Sequence, residues 1–387
     1  VSSFQAFCTS MASVVGVGSI AGMAIAVSLG GPGAIFWLWI IAFIGMATSL
    51  VEHTLGQTYK EKYKNENIYV GGASYYINRG LKNKYMAYLF SIIIVITYGL
   101  VFNSVQANTI GASLRNAFNI PETVTGIIIS ALTALIIIGG IKRITKVSAI
   151  IVPVMGFCYL IMILFVVVIN IKEIPHIFLI IFKSAFGFNE VAGGAVSYVF
   201  MKAISIGIQR AIFSTEAGLG STPNITACAF VKHPTRQGLV GMLGVFFVAF
   251  IICTGTAIII LSSNVYISDP TIQGIALTQE SLKASLGPIS VYILVAAILV
   301  FGFTSIIGNY SYAEHNLFFI HAKTWVLYTL KVIVILTIFL GSIAALHFVW
   351  NLADLFMAIM ILVNIWAIIR LSKVAVAVIF DYKKQLK

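Results

Sequence analysis

The sequence predicts an all-α integral membrane protein built from two halves of opposite topology, each with an interrupted helix near its start. Its composition excludes a soluble domain, because 60% of the 387 residues are hydrophobic and 9% are charged, whereas soluble domains carry about 25% charged residues. Ten apolar stretches are long enough to cross a bilayer, which takes about 20 residues each. Glycine-rich segments interrupt two of these stretches.

The ten apolar stretches account for most of the chain. They lie at 4–27, 33–58, 84–110, 122–141, 147–170, 192–228, 237–262, 287–313, 325–344 and 347–371. The sixth stretch is longer than one span because it contains the second glycine-rich break. Residues 171–190, with Pro175 and several phenylalanines, predict an interfacial helix between the halves, and residues 30–33, Gly-Gly-Pro-Gly, predict a tight turn.

Basic residues concentrate in alternate loops between these stretches. The richest loops contain Lys60, Lys62, Lys64, Arg79, Lys82, Lys84, Lys142, Arg143, Lys146, Lys232, Arg236 and Lys323. Because Lys and Arg concentrate on the cytoplasmic side of membrane proteins, we expect these loops and both chain ends there. The net charge of +12 therefore reflects topology, and the sequence lacks the basic stripe with interleaved aromatic residues that would predict a nucleic-acid partner.

Each half has five spans, and because this number is odd, the second half has the opposite orientation in the membrane to the first. We therefore expect one transmembrane domain over 1–387, with inverted repeats at about 1–170 and 190–372. The two interrupted stretches then occupy corresponding places in the two halves. A helix in hydrocarbon is interrupted only where protein or water satisfies the freed backbone groups, and paired interruptions of this kind indicate the binding site of a secondary transporter.

The first break contains Gly16, Gly18 and Gly22, with Ser13 and Ser19 beside them. Three glycines in seven residues weaken helix formation. An unwound turn here would expose amides that can hold a carboxylate and carbonyl oxygens that can coordinate Na⁺. The alternative interpretation is close helix packing, since small residues are common where membrane helices touch.

The second break surrounds Glu216 and follows Arg210 by less than two helical turns. Its small and hydroxyl residues are Ser214, Thr215, Gly218, Gly220, Ser221 and Thr222. Ionisable groups at membrane depth are costly and usually functional. Two interpretations remain open, a structural or gating Arg210–Glu216 ion pair and direct ligation by Glu216.

Other polar residues lie inside apolar stretches. Thr304 and Ser305 are either back-bonded to their own helix or supply oxygen ligands to Na⁺ opposite the first break. Asn103 and Gln106 share a helix face, and they either bond to neighbouring helices or face a substrate cavity. The pairs Glu52-His53 and Glu314-His315 lack metal-ligand spacing, so we interpret them as capping and gating residues at cytoplasmic helix ends. The four cysteines form no CxxC pair and are interpreted as small buried hydrophobic residues, and no nucleophile–base arrangement predicts an enzyme.

The chain resembles the alanine or glycine:cation symporter family, which are sodium:amino-acid symporters with a LeuT-type fold. The resemblance covers essentially the whole chain, with motifs in order at 16–49, 71–81, 98–108, 139–144, 213–224, 233–244, 306–316 and 349–360. Family members usually carry one further helix before the position of Val1, so we expect that this chain lacks an N-terminal helix.

The resemblance implies Na⁺-driven, sometimes H⁺-driven, uptake of small neutral amino acids such as alanine, glycine or glutamine. It implies a multi-pass protein of a bacterial-type cell membrane, with the amino acid, the sodium ion and the lipid bilayer as partners. The substrate residues expected from the breaks and the motifs are Gly16, Val17, Gly18, Ser19, Asn103, Gln106, Phe213, Ser214, Thr215 and Gly218. The sodium ligands implied by the fold are carbonyls of Ala12, Val15 and Phe301 and hydroxyls of Thr304 and Ser305.

The chain departs from the family pattern at several places, including Thr215, where the family commonly has Asn although Thr occurs in close relatives. The family usually has Asn at the position of Ser19 and an Asp-Thr pair at the position of Val248 and Ala249. These departures remove an amide and a carboxylate from membrane depth. The number of ions transported and their coupling to the substrate are therefore open. The alternatives are therefore an uncoupled or proton-coupled amino-acid facilitator, or a membrane sensor or relic that does not transport.

Overall fold

The computed structural model describes residues 8, 10–11, 14–62, 69–137, 140–187, 195–321 and 323–385, and for 140–152, 155 and 195–197 it describes the backbone alone. The helices are α1 (Ala21–Gly30), α2 (Gly33–Thr58), α3 (Ala73–Gly80), α4 (Lys84–Phe118), α5 (Glu122–Ile137), α6 (Gly140–Ile169), α7 (Ile174–Ala185), α8 (Ala195–Thr215), α9 (Pro223–Thr226), α10 (Pro234–Ser263), α11 (Val265–Ser268), α12 (Ile275–Leu286), α13 (Ile289–Phe319), α14 (Thr324–Ile343) and α15 (Leu346–Gln385). Strands β1 (Glu61–Lys62) and β2 (Tyr69–Val70) pair antiparallel.

Described helical segments lie within all ten apolar stretches, which confirms the all-α membrane class. Six of these helices are long and apolar enough to cross a membrane as single elements: α2, α4, α10, α13, α14 and α15. The bent pair of Gly156–Ile169 and Ile174–Ala185 raises the number to 7 if it counts as one span. Val17–Gly30 and Glu122–Ile137 are shorter apolar helices. Val17–Gly30 is short because it begins at the first break rather than at a membrane surface.

The turn at 30–33 and the helix that follows the first half both form where the sequence predicts them. Gly31 has φ 70°, a left-handed conformation that glycine adopts without strain, and Pro32 precedes the first turn of α2. The helix α7 bends by 99° from the preceding helix. It packs against Gly33, where a Cβ would lie 2.6 Å from the Ala185 amide nitrogen, and the Trp37 indole N–H donates to the Ala185 carbonyl at 3.2 Å.

The helices pack in two groups. In the first group, α2 packs most extensively on α10 and α8, and α8 packs on α1. In the second group, α4 packs on α13 and α14, and α14 packs on α5. Each group therefore combines helices from both halves of the chain. The helix α15 contacts both groups through α2 and α4.

The far end of α15 docks on the beginning of α10. The His233 Nε2 atom lies 3.4 Å from Asp381 Oδ2, and the His233 ring stacks on Tyr382 with centroids 4.9 Å apart. His233 also caps α10, since its Nδ1 accepts a hydrogen bond from the Thr235 amide at 3.2 Å. The last helix is thereby fixed to the first group at its C-terminal end.

Candidate functional site

The first break is present and fully buried. Val15 N donates to Met11 O at 2.7 Å, which closes the last helical turn before it. Gly16 is extended, with φ −124° and ψ −154°, and Val17–Ser19 forms a single 3₁₀ turn before α1 begins. The Ser19 hydroxyl donates to the Gly16 carbonyl at 3.0 Å. This local bond stabilises the unwound segment in place of the missing helical bonds.

The second break is present at the end of α8. Glu216, Gly218 and Gly220 have φ values of 52°, 86° and 72°, and the chain becomes helical again at Pro223. Left-handed conformations suit the two glycines. Glu216 carries a side chain in that region, which costs free energy and is tolerated where surrounding contacts enforce it.

The two breaks meet in the interior. A Cβ built on Gly18 would lie 2.6 Å from Phe213 Cδ1, so the Phe213 ring rests directly on the Gly18 backbone. The Ser214 hydroxyl donates to the Gly18 carbonyl at 3.1 Å. Phe102 and Trp350 flank Phe213, each with ring centroids 4.8 Å from it. The glycine of one break therefore provides the space that an aromatic ring beside the other break fills.

Gln106 reaches the first break, whereas Asn103 bonds mainly to helices. The Val17 amide donates to Gln106 Oε1 at 3.4 Å. Asn103 donates to the Gly99 carbonyl at 3.1 Å and accepts a hydrogen bond from Asn309 Nδ2 at 3.2 Å. Of the two amides, Gln106 is thus the one that bonds to a backbone group of the break.

The sodium-ligand positions lie on α13 and at the first break. A Cβ on Gly302 would lie 3.5 Å from Val17 Cγ2, so this part of α13 faces the break. The Thr304 hydroxyl donates to the carbonyls of Val300 at 2.9 Å and Phe301 at 3.1 Å. Val15, Phe301 and Ser305 are buried. Ala12 lies outside the described residues, so this set of ligands stays a prediction.

Thr215 and Gly218 bond away from the contact between the breaks. The Thr215 hydroxyl donates to the Ala211 carbonyl at 2.8 Å. The Gly218 amide donates to Glu52 Oε1 at 3.3 Å, and the Gly218 carbonyl accepts from Asn364 Nδ2 at 2.9 Å. The backbone of Gly218 is therefore engaged by α2 and α15 in this conformation.

Glu52 lies at the second break, which its interpretation as a capping or gating residue at a helix end did not anticipate. Instead of capping a helix end, it is fully buried and accepts hydrogen bonds from the amides of Gly218 at 3.3 Å and Gly220 at 3.1 Å. Asn364 Nδ2 donates to it at 3.1 Å. The Tyr76 hydroxyl in turn donates to the Oδ1 atom of Asn364. The signal available was a carboxylate inside an apolar span, which usually has a specific role.

The other acid–histidine pair lies in the last two turns of α13 and is buried. The Tyr310 hydroxyl donates to Glu314 Oε1 at 2.7 Å, and His315 Nε2 lies 3.0 Å from the Gly71 carbonyl. The His315 bond fixes the segment before α3 against α13, whereas the Glu314 bond lies within α13.

Of the two open interpretations of the second break, the Arg210–Glu216 ion pair is wrong. Arg210 forms a buried ion pair with Asp354 of α15, and Glu216 accepts hydrogen bonds from Tyr98 at 2.9 Å and Ser221 at 2.7 Å. The reason is geometric, because six residues of helix rotate Arg210 well away from the direction of Glu216, and the left-handed turn at Glu216 redirects its side chain further.

Cavities lie on both sides of the contact between the breaks. One of about 60 Å³ is lined by Gln209, Arg210, Trp350 and Asp354, together with Ile25 and Leu29, which follow the first break. Another of about 10 Å³, roughly the space of one water, is lined by Met11 and Val14, which precede the break, and by hydroxyl groups of the second break. The Gly18–Phe213 contact separates them.

Two wide helical turns near the breaks were not predicted. Thr97–Val101 in α4 and Phe247–Cys253 in α10 are π-helical, a feature frequent at functional sites. Val248 and Ala249 lie in the second of these turns and are fully buried, and this turn packs against the first break. Val248 and Ala249 therefore make this wall of the first break apolar.

The fold matches that of known transporters. The solved structure of MhsT in complex with L-phenylalanine superposes with a TM-score of 0.66 and 16% identity, over 98% of this chain and 97% of that one. At this identity the likeness establishes the fold, which is the LeuT-type fold that the resemblance implied.

Comparison of the sequence itself is more specific. The "Probable sodium/glutamine symporter GlnT" of Bacillus subtilis is 46% identical, over 100% of this chain and 80% of that protein. The "Sodium/proton-dependent alanine carrier protein" of Bacillus sp. PS3 is 33% identical, over 100% of this chain and 89% of that protein. The profile described as "Sodium:alanine symporter family" matches residues 1–387. This chain, a multi-pass membrane protein with two helix breaks in contact, therefore belongs to the sodium:alanine symporter family.

Proposed function

We propose that this protein imports a small neutral amino acid, alanine, glycine or glutamine, together with Na⁺. The observation that carries the proposal is the contact between the two breaks, with Gly18 against Phe213 and Ser214 bonded to the Gly18 carbonyl. Family membership supports Na⁺ as the coupling ion. The name of the relative GlnT supports glutamine as one candidate substrate.

The substrate carboxylate would bind the amides of the first break. Backbone N–H groups at the start of a helix attract anions, and Val17 N is held by a long bond of 3.4 Å to Gln106 that a carboxylate could replace. Phe213, packed between Phe102 and Trp350, would limit the side-chain pocket. Bulky amino acids would be excluded by this ring.

Na⁺ would bind between the first break and α13. The carbonyls of Ala12, Val15 and Phe301 and the hydroxyls of Thr304 and Ser305 are hard oxygen donors, the type that a hard cation prefers. The Thr304 hydroxyl uses its hydrogen for the helix carbonyls. Its oxygen keeps lone pairs that can face a cation.

Transport would follow from rocking of the group α1, α2, α8 and α10 against the group α4, α5, α13 and α14. We take the inverted repeats to be about 1–170 and 190–372, so that each half contributes to both groups. The small cavities on either side of the Gly18–Phe213 contact support alternating access, because opening either one would expose the centre to one side of the membrane.

The experiment is uptake of labelled alanine, glycine, glutamine and leucine into proteoliposomes, with and without an inward Na⁺ gradient. Na⁺-dependent accumulation of the small amino acids, and exclusion of leucine, is the expected result. Equal uptake without Na⁺ would favour an uncoupled facilitator. Substrate binding without flux would favour a sensor and contradict the proposal.

Proton coupling is the second candidate, because two carboxylates are buried at the second break. Glu52 and Glu216 are both at most 2% exposed, and the relative from Bacillus sp. PS3 is named as sodium/proton-dependent. An inward proton gradient at zero Na⁺ distinguishes this candidate. Accumulation under that gradient alone would establish proton coupling, and its absence would leave Na⁺ as the driving ion.

A further inference from the structure

A third pocket, whose described lining includes no residue of the breaks, opens beside the β1–β2 hairpin. It has a volume of about 480 Å³ and is lined by the hairpin, by α3, by the beginning of α4 and by the end of α13. Its lining contains the positively charged Lys62 and Lys84 and the imidazole of His321. Among the described lining residues the carboxylate is that of Glu61, which forms an ion pair with Arg79.

The floor of the pocket is aromatic and rigid. Phe319 makes an edge contact with Tyr75 at a centroid distance of 4.8 Å and with Tyr88 at 5.8 Å. Lys84 Nζ lies 5.4 Å from the centroid of the Tyr88 ring, so this side chain is held at the pocket by a cation–π contact. The arrangement offers basic groups above an apolar floor.

Exposed aromatic side chains near the pocket indicate the level of the lipid interface. Tyr85, beside Lys84 at the beginning of α4, is 89% exposed, and Trp325 and Tyr328 at the beginning of α14 are each 64% exposed. Exposed Tyr and Trp at helix ends mark the level of the lipid headgroups. Exposed Leu89 and Ile92 continue from Tyr85 along α4, where acyl chains would lie.

We propose that this pocket binds the phosphate group of an anionic lipid headgroup. Lys62 and Lys84 supply the positive charge, the His321 imidazole supplies a hydrogen-bonding group, the aromatic floor accommodates the glycerol backbone, and the apolar face of α4 receives the acyl chains. Basic pockets between membrane helices bind anionic headgroups in this way. The proposal does not depend on which amino acid is transported, because the site lies outside the transport path.

The test measures the midpoint of thermal unfolding of the purified protein in detergent, with phosphatidylglycerol, phosphatidylcholine or inorganic phosphate added. The variant Lys62→Gln/Lys84→Gln removes two charges from the pocket. The matched control Lys383→Gln/Lys384→Gln removes two exposed charges from the end of α15. An equal midpoint without lipid shows that each variant is folded.

We expect phosphatidylglycerol to raise the midpoint of the wild type and of the control, with little effect of phosphatidylcholine. The pocket variant should bind phosphatidylglycerol about 25-fold more weakly, since each lysine contributes about fivefold. Equal binding by wild type and pocket variant would overturn the proposal. An equal shift with inorganic phosphate alone would assign the site to a free anion instead of a lipid. If the pocket variant is unfolded, the variant His321→Gln replaces it, and native mass spectrometry measures how much phosphatidylglycerol it retains. Weaker retention than the wild type supports the proposal, and equal retention overturns it.

Discussion

Gly18 has no room for a side chain, because the Phe213 ring already occupies the space where a Cβ would lie. This single position couples the two breaks, and it explains why the first break contains glycine there. The same reasoning does not extend to every membrane glycine. Gly156 on α6 has open space around its Cβ position and provides the matched comparison.

We predict that Gly18→Ala lowers amino-acid uptake by roughly tenfold or more, since overpacking of this kind costs about 1–3 kcal/mol. Gly156→Ala should leave uptake unchanged. The second substitution Phe213→Leu, added to Gly18→Ala, should restore part of the uptake by removing the clash. Normal uptake by Gly18→Ala would show that the breaks need not touch.

We predict that Glu52→Gln lowers the midpoint of thermal unfolding and impairs uptake. The carboxyl group accepts three hydrogen bonds, and leaving a buried donor unsatisfied costs about 1–3 kcal/mol. The amide NH₂ of glutamine would meet donors instead of acceptors. Glu173→Gln, at an exposed residue before α7, is the control, and an unchanged midpoint for Glu52→Gln would contradict the role assigned to Glu52.

At the scale of elements, the ion pair between Arg210 and Asp354 joins α8 to α15. The Arg210 side chain is 2% exposed and that of Asp354 is 18% exposed, and the guanidinium lies 4.6 Å from the centroid of the Trp350 ring. Both helices bound the larger cavity at the breaks. The pair therefore lies where a path to the site would open.

Removing one partner of the Arg210–Asp354 ion pair should lower the free energy of unfolding more than removing both partners. We predict that Arg210→Gln or Asp354→Asn alone destabilises the protein by about 3–5 kcal/mol, because each leaves a buried charge unpaired. The double variant should lie closer to the wild type. Unfolding midpoints of the four proteins form a double-mutant cycle, and additive effects would show that the pair is energetically unimportant.

The elements differ in how much of them the sequence could predict. Both breaks, the turn at 30–33 and the bent helix α7 follow from local glycine, proline and hydrophobic patterns. The partners of Arg210 and Glu52 do not, because Asp354 and Asn364 are far away along the chain and only packing brings them near. The π-helical turns at Thr97–Val101 and Phe247–Cys253 also escape prediction, since one extra residue in an apolar helix leaves no compositional signal.

For the whole molecule, binding of the coupling ion should stabilise the folded state. We predict that Na⁺ raises the unfolding midpoint relative to K⁺, with about 2.7 kcal/mol gained at a concentration 100 times the Kd. Thr304→Val should reduce this Na⁺-dependent shift, because it removes a proposed ligand. Thr329→Val removes a similarly back-bonded hydroxyl on an exposed face of α14 and should keep the shift. Equal shifts in both variants would exclude Thr304 as a ligand.

The helix α15 is attached to other helices at two points along its length. Asp354 holds α8 near one end, and Asp381 and Tyr382 hold the beginning of α10 near the other, about 40 Å apart at the rise of an α-helix. If α8 and α10 tilt together about a central pivot, the two attachment points move in opposite directions. The distance between the two points stays constant in such a rotation, so α15 has to tilt with α8 and α10 as one body. Its contact with α4 is then the one that changes in each turnover, and the strength of that contact would set how often the carrier changes direction.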